Sequence, residues 1–191
     1  MLKQTKHLLL TFLLILVSPI ISGNAITEDF NFKSEEIIKP LVAQEVIAEE
    51  IDCMARNIYF EARSLGTAGK MAVAQVTMNR VANERFPSTI CDVVYEGRHY
   101  FNSRLKEFVP YRNRCQFSWY CDGKSDAITD ERKFNKILEF TKYFVNDYYH
   151  KDHIDITDGA LFYHAEWMAK YPKWSKTKRK ISQIDLHIFY K

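Results

Sequence analysis

Apolar residues fall into three kinds of pattern along this chain, and each predicts a different element. An almost wholly apolar run from Leu8 to Ile21 comes first. From Leu41 the spacing turns to threes and fours: Met54, Ile58, Ala62 and Leu65 line one stripe, which predicts a helix through Ser64. Thr67 can cap a second helix from Ala68 to about Asn83. Its Met71, Ala72, Val73, Ala74, Val76, Met78 and Val81 lie on several sides, so it is expected to cross the core. Phe86-Pro87 breaks it, and Ser88 can cap a short third helix through Tyr95. A further helix is predicted over Asp130 to Tyr148. After Gly159 the runs Ala160–His164, Lys178–Ile181 and His187–Tyr190 have the look of short strands. Residues 97–125 carry many aromatics without a period and read as a long irregular segment, the kind that is more often functional than accidental. The expected fold class is α+β: a mainly helical body with a small antiparallel sheet.

The first run has a processing signature. Lys3 and Lys6 precede it, and Ser22-Gly23-Asn24-Ala25 supplies small residues after it. That order is the one of a secretory signal, assigned to residues 1–25. The run is short of the roughly 20 residues of a spanning helix, and Pro19 lies inside its end. An uncleaved anchor is the rival reading, and it would be the chain's one contact with a membrane. No Cys follows before Cys53, so lipoprotein cleavage is not indicated. The expected location is periplasmic or extracellular. Residues 26–50 read as an acidic linker or loose helix, with a break at Pro40, and residues 51–191 as one catalytic domain.

Charge divides along the same line. Residues 26–52 hold eight acids against Lys33 and Lys39, whereas residues 53–191 hold 23 Lys and Arg against 16 acids. A basic body suits an anionic partner such as a bacterial wall. Nucleic acid does not fit an exported chain with no dense basic arm. The cysteines Cys53, Cys91, Cys115 and Cys121 are even in number, as disulfides in an exported chain would be. Three pairings are open, and the short spacing of Cys115 and Cys121 favours a bridge between them. No CxxC knuckle supports a zinc site.

Glu61 is the first chemical candidate. It lies three residues after Ile58 and seven after Met54, on or beside the apolar stripe. A carboxyl there is partly desolvated, its pKa rises, and it can hold a proton near neutral pH as a general acid must. The plainer reading of the position is a surface Glu paired with a neighbouring Arg.

Sequence context favours the acid. Ala55-Arg56-Asn57-Ile58-Tyr59-Phe60-Glu61-Ala62-Arg63 resembles the motif of the SleB-type cell wall hydrolases, the spore cortex-lytic family. The likeness continues in order through Gly69–Val76 and Asn79-Arg80-Val81, Phe86–Tyr95, Cys115-Gln116-Phe117-Ser118-Trp119 with Cys121-Asp122-Gly123, Gly159–His164, and His187–Tyr190. The resemblance implies a fold distantly similar to lysozyme. It also implies cleavage of the β-1,4 bond between N-acetylmuramic acid and N-acetylglucosamine as a lytic transglycosylase, and the family's catalytic glutamate falls on Glu61. In that chemistry one carboxylic acid protonates the glycosidic oxygen. The muramic C6 hydroxyl then attacks C1 and leaves an anhydro end, so no second carboxylate is needed, unlike in ordinary glycosidases. The resemblance implies peptidoglycan strands as partner, no cofactor and no metal, and the chain is expected to be a monomer. One departure stands out: the family's Glu-Ala-Arg-Gly-Glu reads Glu61-Ala62-Arg63-Ser64-Leu65, without the second Glu.

Further site candidates surround that assignment. Gln116 and Ser118 could hydrogen-bond N-acetyl groups or position Glu61, or simply cap their loop. Trp119 and Tyr163 could stack on sugar rings, as aromatics with a polar handle in half-wet positions do. Phe117 is better read as core, and Trp174 is a weaker stacking candidate. His164 could border the cleft, and Asn79 could bond Glu61. Two other functional classes compete: a zinc-dependent amidase using His150 and His153, which lack an HExxH frame, and a non-catalytic wall-binding module.

Overall fold

The computed structural model describes residues 27–150 and 154–191, with side chains from residue 44 onward. The predicted signal, residues 1–25, lies outside the described residues, as does His153 of the zinc reading. Among the described residues no helix is long and apolar enough to cross a membrane. Residues 42–191 form one compact unit.

Four helices and two small sheets follow in the order α1 (Thr27–Ala62), α2 (Thr67–Val81), α3 (Ile90–Val94), β1 (Gly97–Asn102), β2 (Glu107–Cys115), α4 (Glu131–Tyr149), β3 (Phe162–Ala165), β4 (Lys180–Ile184) and β5 (His187–Tyr190). The α+β expectation holds. The first helix runs through Pro40 rather than breaking there. Strands β3, β5 and β4 form an antiparallel sheet with β5 in the centre. All four residues of β5 are buried, which is why its sequence, His187-Ile188-Phe189-Tyr190, shows no polar alternation.

The helix α2 is the spine of the domain. Ala72 through Met78 are buried without interruption, as its all-round apolar pattern predicts. Its cap differs from the expectation: Thr67 is the first helical residue, Gly66 precedes it, and no side chain of the local sequence caps it. The carboxylate of Asp185, in the β4–β5 turn, instead accepts the Gly69 N–H at 2.8 Å. An acid from the sheet thus serves the electropositive end of the helix. The third helix is capped by Thr89, not Ser88, through the Asp92 N–H at 3.1 Å.

Two polar residues one turn apart on α2 fasten the segment leading into β3. Gln75 donates to the Ile154 carbonyl and accepts from the Ile156 N–H. Asn79 donates to Asp155, Thr157 and the Ala160 carbonyl, at 3.0, 3.2 and 3.2 Å. Asn79 therefore holds structure together and makes no bond to Glu61, a correction to its expected site role. Asn79→Ala leaves these acceptors short of a donor and is expected to cost about 1–3 kcal/mol. The reading is a lower urea midpoint at unchanged slope.

Residues 97–125 are not the irregular segment expected. The strands β1 and β2 form an antiparallel hairpin, pairing Phe101 with Phe108 and Asn102 with Glu107. A 3-10 turn, Ser118–Cys121, follows. The hairpin escapes detection because neither face is buried, so no period-two pattern is written into it. Disulfides join Cys53 to Cys91 and Cys115 to Cys121, so the favoured Cys115–Cys121 pairing is present and a second bridge ties α1 to α3.

Candidate active site

A cleft of about 580 Å³ opens between the last turn of α1, the end of α2, the segment after β2 and the strand β3. Glu61, Gln116, Ser118, Trp119, Tyr163 and His164 all line it, so six of the seven expected residues come together. Asn79 does not. Arg80, Phe60, His187, Trp167 and Trp174 join them.

Glu61 is partly exposed, one turn from the buried Ile58, and Phe60, Arg80, Phe117 and Tyr163 share its pocket. Burial pushes its pKa up to about 7, against smaller opposing pulls from the Tyr163 hydroxyl and the Arg80 charge. Its place in the last turn of a helix acts in the same direction as burial, because the carbonyl end of a helix disfavours a negative charge. At neutral pH this carboxyl therefore keeps its proton a large part of the time, which a surface Glu does not. The plainer reading, a surface ion pair, does not fit: no salt bridge involves Glu61 among the described residues.

Arg80 organises the floor. It is 3% exposed, and its guanidinium lies 4.8 Å from the Phe117 ring centroid, 5.3 Å from Phe86 and 5.9 Å from Phe162. Its Nε donates to the Leu161 carbonyl at 2.9 Å. A cation so dry is costly unless charge of opposite sign is near. Burial lowers its pKa, while Tyr163, Glu96 and Glu61 each act to keep it charged. Glu96 is itself pushed up by burial and held down by Arg80 and Gln116. Glu96, half-buried, and Glu61 thus share the field of one buried cation without an ion pair to it among the described residues.

Three atoms of this cluster, Arg80 Nη1, Glu96 Oε2 and the Tyr163 hydroxyl, are buried without a regular hydrogen bond. The Tyr163 hydroxyl is near enough to Glu61 for each to shift the other's proton affinity, although they do not reach regular hydrogen-bond geometry. Burial raises the Tyr163 pKa, so this hydroxyl stays a proton donor. His187 packs on Tyr163 at 4.9 Å, and burial pushes its pKa down to about 4, so it adds no positive charge at neutral pH.

The remaining residues divide between cleft wall and scaffold. Trp119 is buried, donates from Nε1 to Asn57 Oδ1 at 3.0 Å and stacks on Phe60 at 4.5 Å. Trp119 is therefore not the half-wet aromatic expected, whereas Trp167, also lining the cleft, is 70% exposed. His164 is buried, with Nε2 at 2.9 Å from the Tyr190 hydroxyl. Gln116 and Ser118 are exposed on the cleft, and the Gln116 side chain also hydrogen-bonds the Glu96 carboxyl. Leu65 packs against the core rather than on the cleft. Sequence reasoning missed Arg80 and Glu96 as site residues. A Lys or Arg inside an otherwise apolar helix is the signal that could have found the first, and nothing local marks the second.

Among the described residues no group of three or more His, Cys, Asp or Glu is placed to hold a metal. His150 binds the Asn146 carbonyl through Nδ1 at 2.7 Å.

A helical body thus carries one carboxyl of raised proton affinity in a cleft lined by several aromatic rings. Residues 64–190 match the Cell Wall Hydrolase family, and the chain belongs to that family. It is 29% identical over 142 residues to a spore cortex-lytic enzyme of Bacillus cereus, covering 74% of this chain and 44% of that one. A spore cortex-lytic enzyme of Oceanobacillus iheyensis is 27% identical over 150 residues, covering 78% and 44%. The chain thus spans less than half the length of the curated relatives it matches. Among solved structures, the catalytic domain of the germination-specific lytic transglycosylase SleB from Bacillus anthracis has 27% identity and a TM-score of 0.51, covering 74% of this chain and 93% of that one.

Proposed function

We propose that this chain cuts the glycan strands of bacterial peptidoglycan at the β-1,4 bond after N-acetylmuramic acid, acting outside the cytoplasm as a lytic transglycosylase. The observation that carries the reading is the pKa of about 7 at Glu61, on the wall of an aromatic-lined cleft. Sugar rings would lie along Trp167, Trp174 and Phe60, with Gln116 and Ser118 in reach of N-acetyl groups. Protonated Glu61 gives its proton to the glycosidic oxygen as the C1–O bond breaks. The carboxylate left behind is then stabilised by Arg80 and the Tyr163 hydroxyl, and it takes the proton of the muramic C6 hydroxyl as that oxygen closes on C1. The proton count balances, and Glu61 ends as it began.

A water-mediated route is the second reading, because the cleft holds one more carboxylate. Asp122 is committed elsewhere: it accepts the Lys124 N–H at 2.8 Å and pairs with the Lys124 ammonium at 3.2 Å. Mass spectrometry of muropeptides released from purified sacculi separates the routes. Products one water lighter than the hydrolytic set are expected, with Asp122→Asn close to normal in rate. Hydrolytic masses together with a dead Asp122→Asn would move the chain to the two-carboxylate class.

A further inference from the structure

The cleft leaves the β1–β2 hairpin without a part to play, yet the hairpin is the most unusual piece of the surface. Five large apolar residues stand exposed in it: Tyr100 at 40%, Phe101 at 53%, Leu105 at 57%, Phe108 at 71% and Tyr111 at 45%. A cluster of this kind marks an interaction site more often than chance. Its distribution is specific. Phe101 and Phe108 oppose each other at 5.4 Å on one face. Tyr100 and Tyr111 meet at 4.7 Å on the other, with the Arg98 guanidinium over Tyr111. Leu105 occupies the turn, which is fixed by Asn102: its side chain accepts from the Arg104 and Leu105 N–H groups, and its carbonyl accepts from the Lys106 N–H.

Charge supplies a second, independent observation. Residues 97–115 carry Arg98, Arg104, Lys106, Arg112 and Arg114 against the single acid Glu107. None of the five cations forms an ion pair among the described residues. The partner they complement is anionic.

We propose that this hairpin is a membrane-docking finger that seats Phe101, Leu105 and Phe108 in the headgroup region of an anionic phospholipid surface. An apolar end, cations with long stems and tyrosines nearer the base is the arrangement that an interface between water and lipid rewards. A sugar strand asks for something else: one flat aromatic face, with polar handles for its hydroxyls. Here the apolar groups occupy both faces and the turn, two of the three at the tip are phenylalanines without a polar atom, and the third has no ring. The base is held to the body by the Cys115–Cys121 bridge and the Glu96 carbonyl, which accepts the Gln116 N–H at 2.9 Å. Docking through the tip would therefore set the cleft beside a membrane, on whatever wall lies against it. The proposal is independent of the reaction assigned to Glu61.

The test uses the full chain. All four native cysteines are paired, so Leu105→Cys offers one thiol for an environment-sensitive fluorophore. Its emission is expected to brighten and shift blue on vesicles of phosphatidylglycerol mixed with phosphatidylcholine, and to revert in high salt. Phosphatidylcholine alone and purified sacculi are expected to leave it unchanged. Because the probe sits at the turn, any insertion of the N-terminal apolar run does not register in it. The exposed triple variant Phe101→Ser, Leu105→Ser, Phe108→Ser is expected to lower partition onto the anionic vesicles at least about tenfold, with muropeptide release from dispersed sacculi at the wild-type rate. A silent probe on anionic vesicles, or an equal response to phosphatidylcholine, overturns the proposal. A response to sacculi alone overturns it in favour of a wall ligand.

Discussion

Glu61→Gln ends muropeptide release, with turnover falling by about a thousandfold or more, while the chain still folds. The size follows from the role: a positioned general acid contributes on the order of 10² to 10⁴, and here the same group is also asked to act as base. Glutamine keeps the shape and the hydrogen-bonding oxygen but has no proton to give. In the wild type the acid-dependent limb of kcat/KM falls as pH rises through about 7, where Glu61 loses its proton. The variant also carries a stability signature with a definite sign. A carboxyl whose folded pKa is raised from 4.5 to about 7 favours the native state most below 4.5, and that contribution is lost as pH climbs through 7. A glutamine amide does not titrate, so Glu61→Gln gains on the wild type across that window, by on the order of 3 kcal/mol at pH 8. Thermal melts at pH 5 and pH 8 would read it. A widening gap at pH 8 is expected; near-normal turnover in the variant would remove Glu61 from the chemistry altogether.

Arg80→Met has the second large effect, on stability and on the pH profile together. Removing the buried cation takes the donor from the Leu161 carbonyl and the nearby positive charge from Glu96, at an expected cost of about 1–3 kcal/mol. Arg80→Lys keeps the charge with less reach and is expected to fold. Lysine loses the planar contact with Phe117 and the bond to the Leu161 carbonyl. Its charge then sits less well placed to stabilise ionised Glu61, so the falling limb of kcat/KM moves to higher pH. Methionine, where it folds, moves the limb further in the same direction. A lower rate with the limb unmoved would reduce Arg80 to scaffolding.

The helical body could be read from the chain because it leaves a local trace. The stripe Met54, Ile58, Ala62 and the all-round apolar run of α2 are consequences of one-dimensional spacing, and both are buried as that spacing requires. The stripe alone leaves Glu61 open to a surface ion pair, and the resemblance of Ala55–Arg63 to the family motif is what singles it out. The rest depends on contacts between distant residues. Asp185 caps α2 from 116 positions away, which no local capping rule can see. In the sequence Asn79 reads as a candidate partner of Glu61, but the helix turns it toward Asp155 and sends Arg80 into the cleft floor. Glu96 becomes chemical only once α3 ends beside Arg80. The hairpin was hidden for the opposite reason: nothing covers it, and an uncovered strand leaves no alternation to find.

The two disulfides both lie close in sequence to residues that line the cleft. One fastens α1 eight residues before Glu61, and the other closes the loop that carries Gln116, Phe117 and Ser118 to the cleft. While the thiols are reduced, as in a bacterial cytoplasm, neither closure exists and that wall of the cleft is untied. Reduction is thus expected to loosen two sides of one pocket together, although the two bridges lie far apart along the chain.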